Sequence, residues 1–411
     1  MTYVNAVKYV KSAPDVGGSG ALLRILTRLG SPQKRIKYIR LAGSNGKTVC
    51  AEMLTAVLTS ADKQVGCLRM PMREEPRENI CLGGKPLSMD AFATYAEAVR
   101  TAARQSDDEE NVSLAPVSAE ILLCIALLAF ADAKCEICII ESDHFGTDPS
   151  IQLPPPLAAI ICGTIPSNDA TEISKIRSYI CRGIEEIVSV PQNNEAYKII
   201  SDTCYAASCR LTLPNKTAIE VKRLSFRVTE FSYKGKGYSL RLCGRFQIYN
   251  AVLVLEVLEM LARKGFYVSD DAIANGFARL TIPAKFEVVS IKPLMIIDST
   301  HSPVAIGIVC DALADFREMS AKKVRLCLPD KALVNAYVEA LTERGYTIES
   351  VIAPMGEYTH SDSFEVVTCK TKKALIKKAL DGLGNDTLLL ISGDNQFVSP
   401  VRYELLSTMG Y

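Results

Sequence analysis

The stretch "IKYIRLAGSNGKTVCAEML", residues 36–54, restricts the possible folds more than any other part of the chain. A compact β-rich run leads into Gly43, and "TVCAEMLTAVLTSA" after Lys47 places apolar residues on one helical face. Strand, glycine turn and helix in that order are the context a phosphate-binding loop requires. The usual loop, G-x-x-x-x-G-K-[ST], opens on a glycine where this chain has Leu41; the loop proper reads Gly43, Ser44, Asn45, Gly46, Lys47, Thr48. The residues with chemical roles are nonetheless present. Gly46 lets the backbone approach phosphate oxygens, and the amides opening the helix are donors at its positive dipole end. Lys47 can reach the β and γ phosphates, and Thr48 offers a hydroxyl to Mg²⁺. The alternative is an ordinary strand-to-helix turn with Lys47 in solvent; the coincidence of turn, lysine and threonine favours a bound nucleotide.

The rest of the chain fits an α/β protein. At 411 residues it is too long for one ordinary core, so two domains are expected. Helices and parallel-type strands alternate through the first half, among them "KQVGCLR", "CEICIIES" ending at Glu141, and "PLAAIICGTIP". "ENICLGGKPLS" reads as a hairpin turning at Gly83 and Gly84, and the acidic "RQSDDEENVS" as a solvated loop. "CRLTLP", "AIEVKRLSFRVTEFSY" and "GYSLRL" alternate as short strands and suggest a small antiparallel sheet appended to the first domain. A boundary at "TIPAKFE" separates residues 1–281, a P-loop-type parallel-sheet domain, from residues 282–411, a smaller Rossmann-like α/β domain.

Composition excludes several functions. Lys plus Arg (47) and Asp plus Glu (46) cancel, and no long basic run provides a nucleic-acid or membrane-surface footprint. The longest apolar run, Ile121 to Ala131, falls short of the ~18–20 residues that span a bilayer and reads as a buried helix. The 14 cysteines lie mostly in core-like segments with no signal peptide before them, which points to reduced thiols in a cytoplasmic protein. Cys135 and Cys138 have CxxC spacing, but they lead straight into an apolar strand and read as buried filler. His144, His301 and His360 are too far apart in sequence for a histidine-rich zinc site.

"LGSPQKRIKYIRLAGSNGKTVCAEML" resembles the entry of the folylpolyglutamate synthases, relatives of the Mur ligases among ATP-dependent amide-forming enzymes, whose loop has the form G-T-N-G-K. Further stretches follow in the family's order. They are "RENICLGGKPLS", the strand ending at Glu141, "CGRFQIYNAVLVLE", "IPAKFEVVS", "IIDSTHSP" and "LLLISGDNQFVSPVR". The resemblance implies that ATP phosphorylates a carboxylate on a folate's glutamyl tail and that free L-glutamate then displaces the phosphate. It implies Mg²⁺ on Thr48 and Glu141, Lys47 against the transferring phosphoryl group, and Asn250 on adenine. Lys285 and Asp298 would reach ribose and phosphates after domain closure, and His301 would lie near the reacting carboxylate or amine. A monomer acting on small molecules is implied as well. Asp298 and His301 also have a structural reading, as caps of a helix starting at Pro303.

The departures from the family pattern cluster at its second metal site. Asp169-Ala170-Thr171-Glu172 stands where the family has aspartate-histidine-threonine-glutamate, and Cys181-Arg182-Gly183-Ile184 where it has lysine-alanine-glycine-isoleucine. Alanine cannot hold Mg²⁺, and cysteine prefers softer metals. Three readings follow: an active folate-tail ligase with one magnesium or with Asp143 or His144 compensating, a catalytically weak relative that binds nucleotide or folate, and a related ligase acting on another carboxylate.

Overall fold

A computed structural model describes residues 1–15, 21–43, 45–110, 115–142, 149–165, 170–180, 183–300, 302–316, 322–358 and 363–410. Contacts divide the chain into two compact units, Met1–Lys216 with Asn250–Arg279, and Thr217–Tyr249 with Leu280–Tyr411.

The first unit opens with helices α1 (Tyr3–Lys11) and α2 (Ala21–Arg28). There follow β1 (Tyr38–Gly43), α3 (Lys47–Ser60), β2 (Val65–Leu68), the hairpin β3 (Ile80–Leu82) and β4 (Lys85–Pro86), α4 (Met89–Glu110) and α5 (Ser118–Asp132). Then come β5 (Ile137–Glu141), β6 (Ala158–Cys162), α6 (Ala170–Ile180), β7 (Glu186–Ser189), α7 (Asn194–Ala206) and β8 (Arg210–Thr212). All eight strands join one sheet in the order β4-β3-β2-β5-β1-β6-β7-β8. Pairing is parallel from β2 to β8, and antiparallel at the hairpin. Strands covered on both faces lose the polar–apolar alternation of a half-exposed sheet, which is why β5 and β6 are buried along their whole length. Close approach of helix to sheet needs a missing side chain at Gly66 of β2, where a Cβ would stand 2.5 Å from the Phe130 ring of α5.

In the second unit β9 (Ile219–Leu224), β10 (Thr229–Tyr233) and β11 (Lys236–Leu240) form the small antiparallel sheet. Helix α8 (Arg245–Arg263) begins in this unit and continues into the first, where α9 (Asp270–Arg279) follows it. The chain then builds β12 (Glu287–Ile291), β13 (Leu294–Asp298), α10 (Pro303–Asp315), β14 (Lys323–Cys327), α11 (Lys331–Glu343) and β15 (Thr347–Pro354). It ends with β16 (Glu365–Cys369), α12 (Lys372–Leu380), β17 (Thr387–Ser392) and α13 (Asn395–Met409). The order is β12-β13-β17-β14-β15-β16, with only β12 antiparallel. The small sheet's contacts are with this unit, for example Phe226 against Phe316 with ring centroids 4.7 Å apart.

Two local expectations are corrected. "CRLTLP" supplies β8, which pairs in parallel with β7 at the edge of the large sheet rather than joining the antiparallel one. The physical reason is α7: a helical crossover between two strands returns the chain in the same direction. The acidic stretch is helical as far as Glu110, as the end of α4; residues 111–114 lie outside the described ones. The hairpin forms where expected, with Gly83 at φ 55° and Gly84 at φ 79°, the pair of positive φ values a two-residue turn of this hand requires. Described cysteines are free thiols, buried except for half-buried Cys369.

Candidate active site

The candidate site forms where parallel strands β1, β5 and β6 end. β1 lies between the other two, with Leu41 opposite Glu141 on one side and Gly43 opposite Cys162 on the other. The loop therefore leaves the sheet at a point flanked by strand ends, the usual location of ligands in open α/β sheets. Glycine at 43 is required twice over: φ is +132°, and a Cβ would lie 1.7 Å from the Cys162 carbonyl oxygen. Ser44 lies outside the described residues, and Asn45 follows in the bend that precedes α3. Gly46 caps α3 at φ 82° without a side-chain cap, and its carbonyl accepts the Cys50 N–H at 2.8 Å. Helix geometry gives the first-turn amides no intrahelical acceptor, so they face outward as anion donors beside Lys47.

At the second residue of α3, the Thr48 hydroxyl donates to Glu141 Oε1 at 2.8 Å. Glu141 is only 1% exposed, held at the end of β5. An apolar cavity lined by Leu68, Met70, Ala119, Leu123, Ile140 and Pro149 borders its carboxylate. Asn250 comes to the same place from α8, its Oδ1 2.6 Å from where a Cβ on Gly46 would be. The Cys50 thiol points at the Asn250 carbonyl, 3.9 Å away. Beneath the loop a hydrogen bond with Cys50, together with burial, pushes the Cys162 thiol well up.

Lys285 and Asp298 meet in the second unit. Asp298 ends β13, 4% exposed, and its Oδ2 accepts the Phe286 N–H at 2.7 Å. Burial raises its pKa, and the nearby Lys285 charge opposes that rise. The segment carrying Lys285 is unusual: Ala284 and Phe286 both have left-handed φ, 55° and 53°. It is held there by Glu287, which accepts the Ala284 N–H at 2.8 Å and forms a two-pronged ion pair with Arg402 at 2.6 and 2.7 Å. Sequence reading missed this clamp, because Glu287 and Arg402 are 115 residues apart and neither sits in a motif. The reading of Asp298 as a helix cap is corrected too. α10 is capped by Ser302, whose hydroxyl accepts the Ala305 N–H, while Asp298 is engaged with Phe286.

The structure thus brings Gly43, Gly46, Lys47, Thr48, Glu141 and Asn250 together in one unit, and Lys285 and Asp298 together in the other. His301, Asp143, His144, Asp169, Cys181 and Arg182 lie outside the described residues, and Ala170 is the first residue of α6. Among the described residues no three His, Cys, Asp or Glu side chains converge as a metal site, and no helix is long and apolar enough to cross a membrane.

No protein-family model matches the chain. It is similar to a probable bifunctional folylpolyglutamate synthase/dihydropteroate synthase of Halobacterium salinarum, 26% identical over 332 residues, which cover 77% of this chain and 40% of that protein. A dihydrofolate synthase/folylpolyglutamate synthase of Bacillus subtilis is 24% identical over 422 residues, 94% of this chain and 95% of that one. Among solved structures, the apo form of L. casei FPGS superposes with a TM-score of 0.83 at 20% identity, covering 99% of this chain and all of that one. The chain thus shares its fold, over its full length, with solved folylpolyglutamate synthases. An FPGS–AMPPCP–folate complex has the same fold, with a TM-score of 0.82 at 20% identity. Within this fold the glycine turn before α3 and the strand-end Glu141 stand together.

Proposed function

We propose that the chain is an ATP-dependent ligase that adds L-glutamate to the glutamyl tail of a (tetrahydro)folate. The observation that carries this is the Thr48–Glu141 hydrogen bond at the mouth of a glycine-shaped phosphate loop, within a full-length family fold. In the proposed reaction a tail carboxylate oxygen attacks the γ-phosphorus and ADP leaves. The amine of glutamate then attacks the acyl carbon, a proton is lost from nitrogen, and phosphate leaves. Lys47 and the first-turn amides of α3 would neutralise charge on the phosphoryl oxygens, where fixed donors cost no reorganisation. Lys285, Asp298 and His301 keep the ribose, phosphate and substrate roles that the family resemblance implies.

The donor set suits magnesium, since a hydroxyl and a carboxylate are hard oxygens of the kind that ion prefers. Mg²⁺ held by Thr48 and Glu141 would supply positive charge against the triphosphate. A cytoplasmic monomer with ATP, folate and L-glutamate as its small-molecule partners belongs to the same proposal, supported by the reduced, buried thiols.

A second reading, a relative that binds nucleotide or folate with little catalysis, is favoured by one observation: among the described residues no three His, Cys, Asp or Glu side chains converge as a metal site. A phosphate-release assay separates the two. Wild type with Mg-ATP, L-glutamate and tetrahydrofolate or dihydropteroate should release phosphate only when all are present, and Lys47→Ala should abolish release. Nucleotide binding without release with any folate would establish the second reading. Release with a different carboxylate only would make the chain a related amide ligase.

A further inference from the structure

Asn250 is placed by the family motif on adenine, yet its side chain lies against the phosphate loop. Its Oδ1 occupies the space a Gly46 side chain would fill, 2.6 Å from the ideal Cβ position. The Gly46 Cα–H therefore points at the amide oxygen, a weak but directional contact. On the other side Cys50, from the first turns of the same helix α3, directs its thiol at Asn250 O and Oδ1, at 3.9 and 4.0 Å. The amide is pinned between Gly46, which caps α3, and Cys50, whose N–H donates to the Gly46 carbonyl at 2.8 Å. An asparagine that reads adenine in full uses both amide atoms, Nδ2 donating to N7 and Oδ1 accepting from N6. With Oδ1 turned to Gly46, the amide faces the loop.

We infer that Asn250 is a positioning residue for the phosphate loop, holding Gly46 in the left-handed conformation that aims the α3 amides at phosphate, and that it contributes affinity for the triphosphate rather than for the base. The inference rests on the nucleotide reading above. Gly46 at φ 82° has no side-chain cap of its own, so its conformation depends on what packs around it. Asn250 reaches it from a helix 200 residues away in sequence from Cys50, which makes the support tertiary rather than local.

The test titrates the full-length chain with Mg-ATP and with Mg-tripolyphosphate, which has no base. Asn250→Ala should weaken both by the same factor, about tenfold for a contact of ordinary coupling strength. Gly46→Ala should weaken triphosphate binding as well, because its new methyl meets the amide. In the double variant, Asn250→Ala should give part of that loss back, so the combined loss is smaller than the product of the single losses. Loss of ATP affinity alone in Asn250→Ala, with triphosphate unchanged, would assign the residue to adenine and overturn the inference. Single losses that simply multiply would overturn it too, since general loosening of the fold predicts no recovery. Wild type that binds neither ligand would remove the nucleotide reading itself, and the inference with it.

Discussion

At the scale of single residues, the loop's chemistry depends on positions where nothing larger than hydrogen fits. Gly43→Ala combines an unfavourable φ with a Cβ 1.7 Å from a backbone oxygen on a central strand, and neither the loop nor β6 can yield cheaply. We expect a loss above about 4 kcal/mol or no soluble protein, read by urea unfolding. Asp298 leads to the opposite expectation. Its folded pKa is raised by burial, so between its unfolded and folded pKa values the native state binds more protons than the unfolded chain. Stability should therefore fall as pH rises through the folded pKa. Asp298→Asn, which can still accept the Phe286 N–H, should raise the melting temperature at neutral pH. That gain should fade as pH is lowered through the folded pKa toward the unfolded carboxylate value. Melting curves from pH 4 to 8 that show equal shifts throughout would contradict this. If Asp298 binds ribose, the same change should weaken ATP binding, a stability gained at a functional position.

At the scale of elements, helix α9 packs on α3 through a glycine. A Cβ on Gly276 would lie 2.6 Å from the Val57 Cα, so the two backbones are in near contact. Alanine's helix propensity favours Gly276→Ala by about 1 kcal/mol. Overpacking against a backbone that cannot rotate away costs about 1–3 kcal/mol. The clash should win, giving net destabilisation in chemical unfolding, whereas glycine-to-alanine at an open helical position such as Gly307 should stabilise. Legibility in the sequence follows the same division between local and tertiary causes. The order β1, loop, α3 was readable because a continuous apolar run, two glycines and Lys-Thr are contiguous. The Gly83-Gly84 hairpin was readable because turn chemistry is local. β8 is misread because a three-residue strand, one residue exposed and two half-buried, carries too short a pattern to tell a parallel from an antiparallel partner. Likewise Glu287–Arg402 and Asn250–Gly46 join residues with no shared periodicity, so only the fold reveals them.

At the scale of the molecule, the loop before α3 and the Asp298 segment belong to different compact units. Calorimetry should resolve two unfolding transitions, and Mg-ADP should raise the one belonging to the unit with Lys47. At a hundred times its dissociation constant the ligand adds about 2.7 kcal/mol to whatever state binds it. A uniform rise of a single transition would show that the units unfold together. The first unit is also discontinuous: Asn250–Arg279 returns to it only after residues 217–249 have been laid into the second. A chain emerging from the ribosome amino end first must hold residues 1–216 without α9 on α3 and without Asn250 behind the loop. During synthesis, then, the end of the unit that carries Lys47 stays unfinished until past residue 279; on the proposed function, nascent chains stopped at residue 216 should bind nucleotide poorly while those extended beyond 279 gain it.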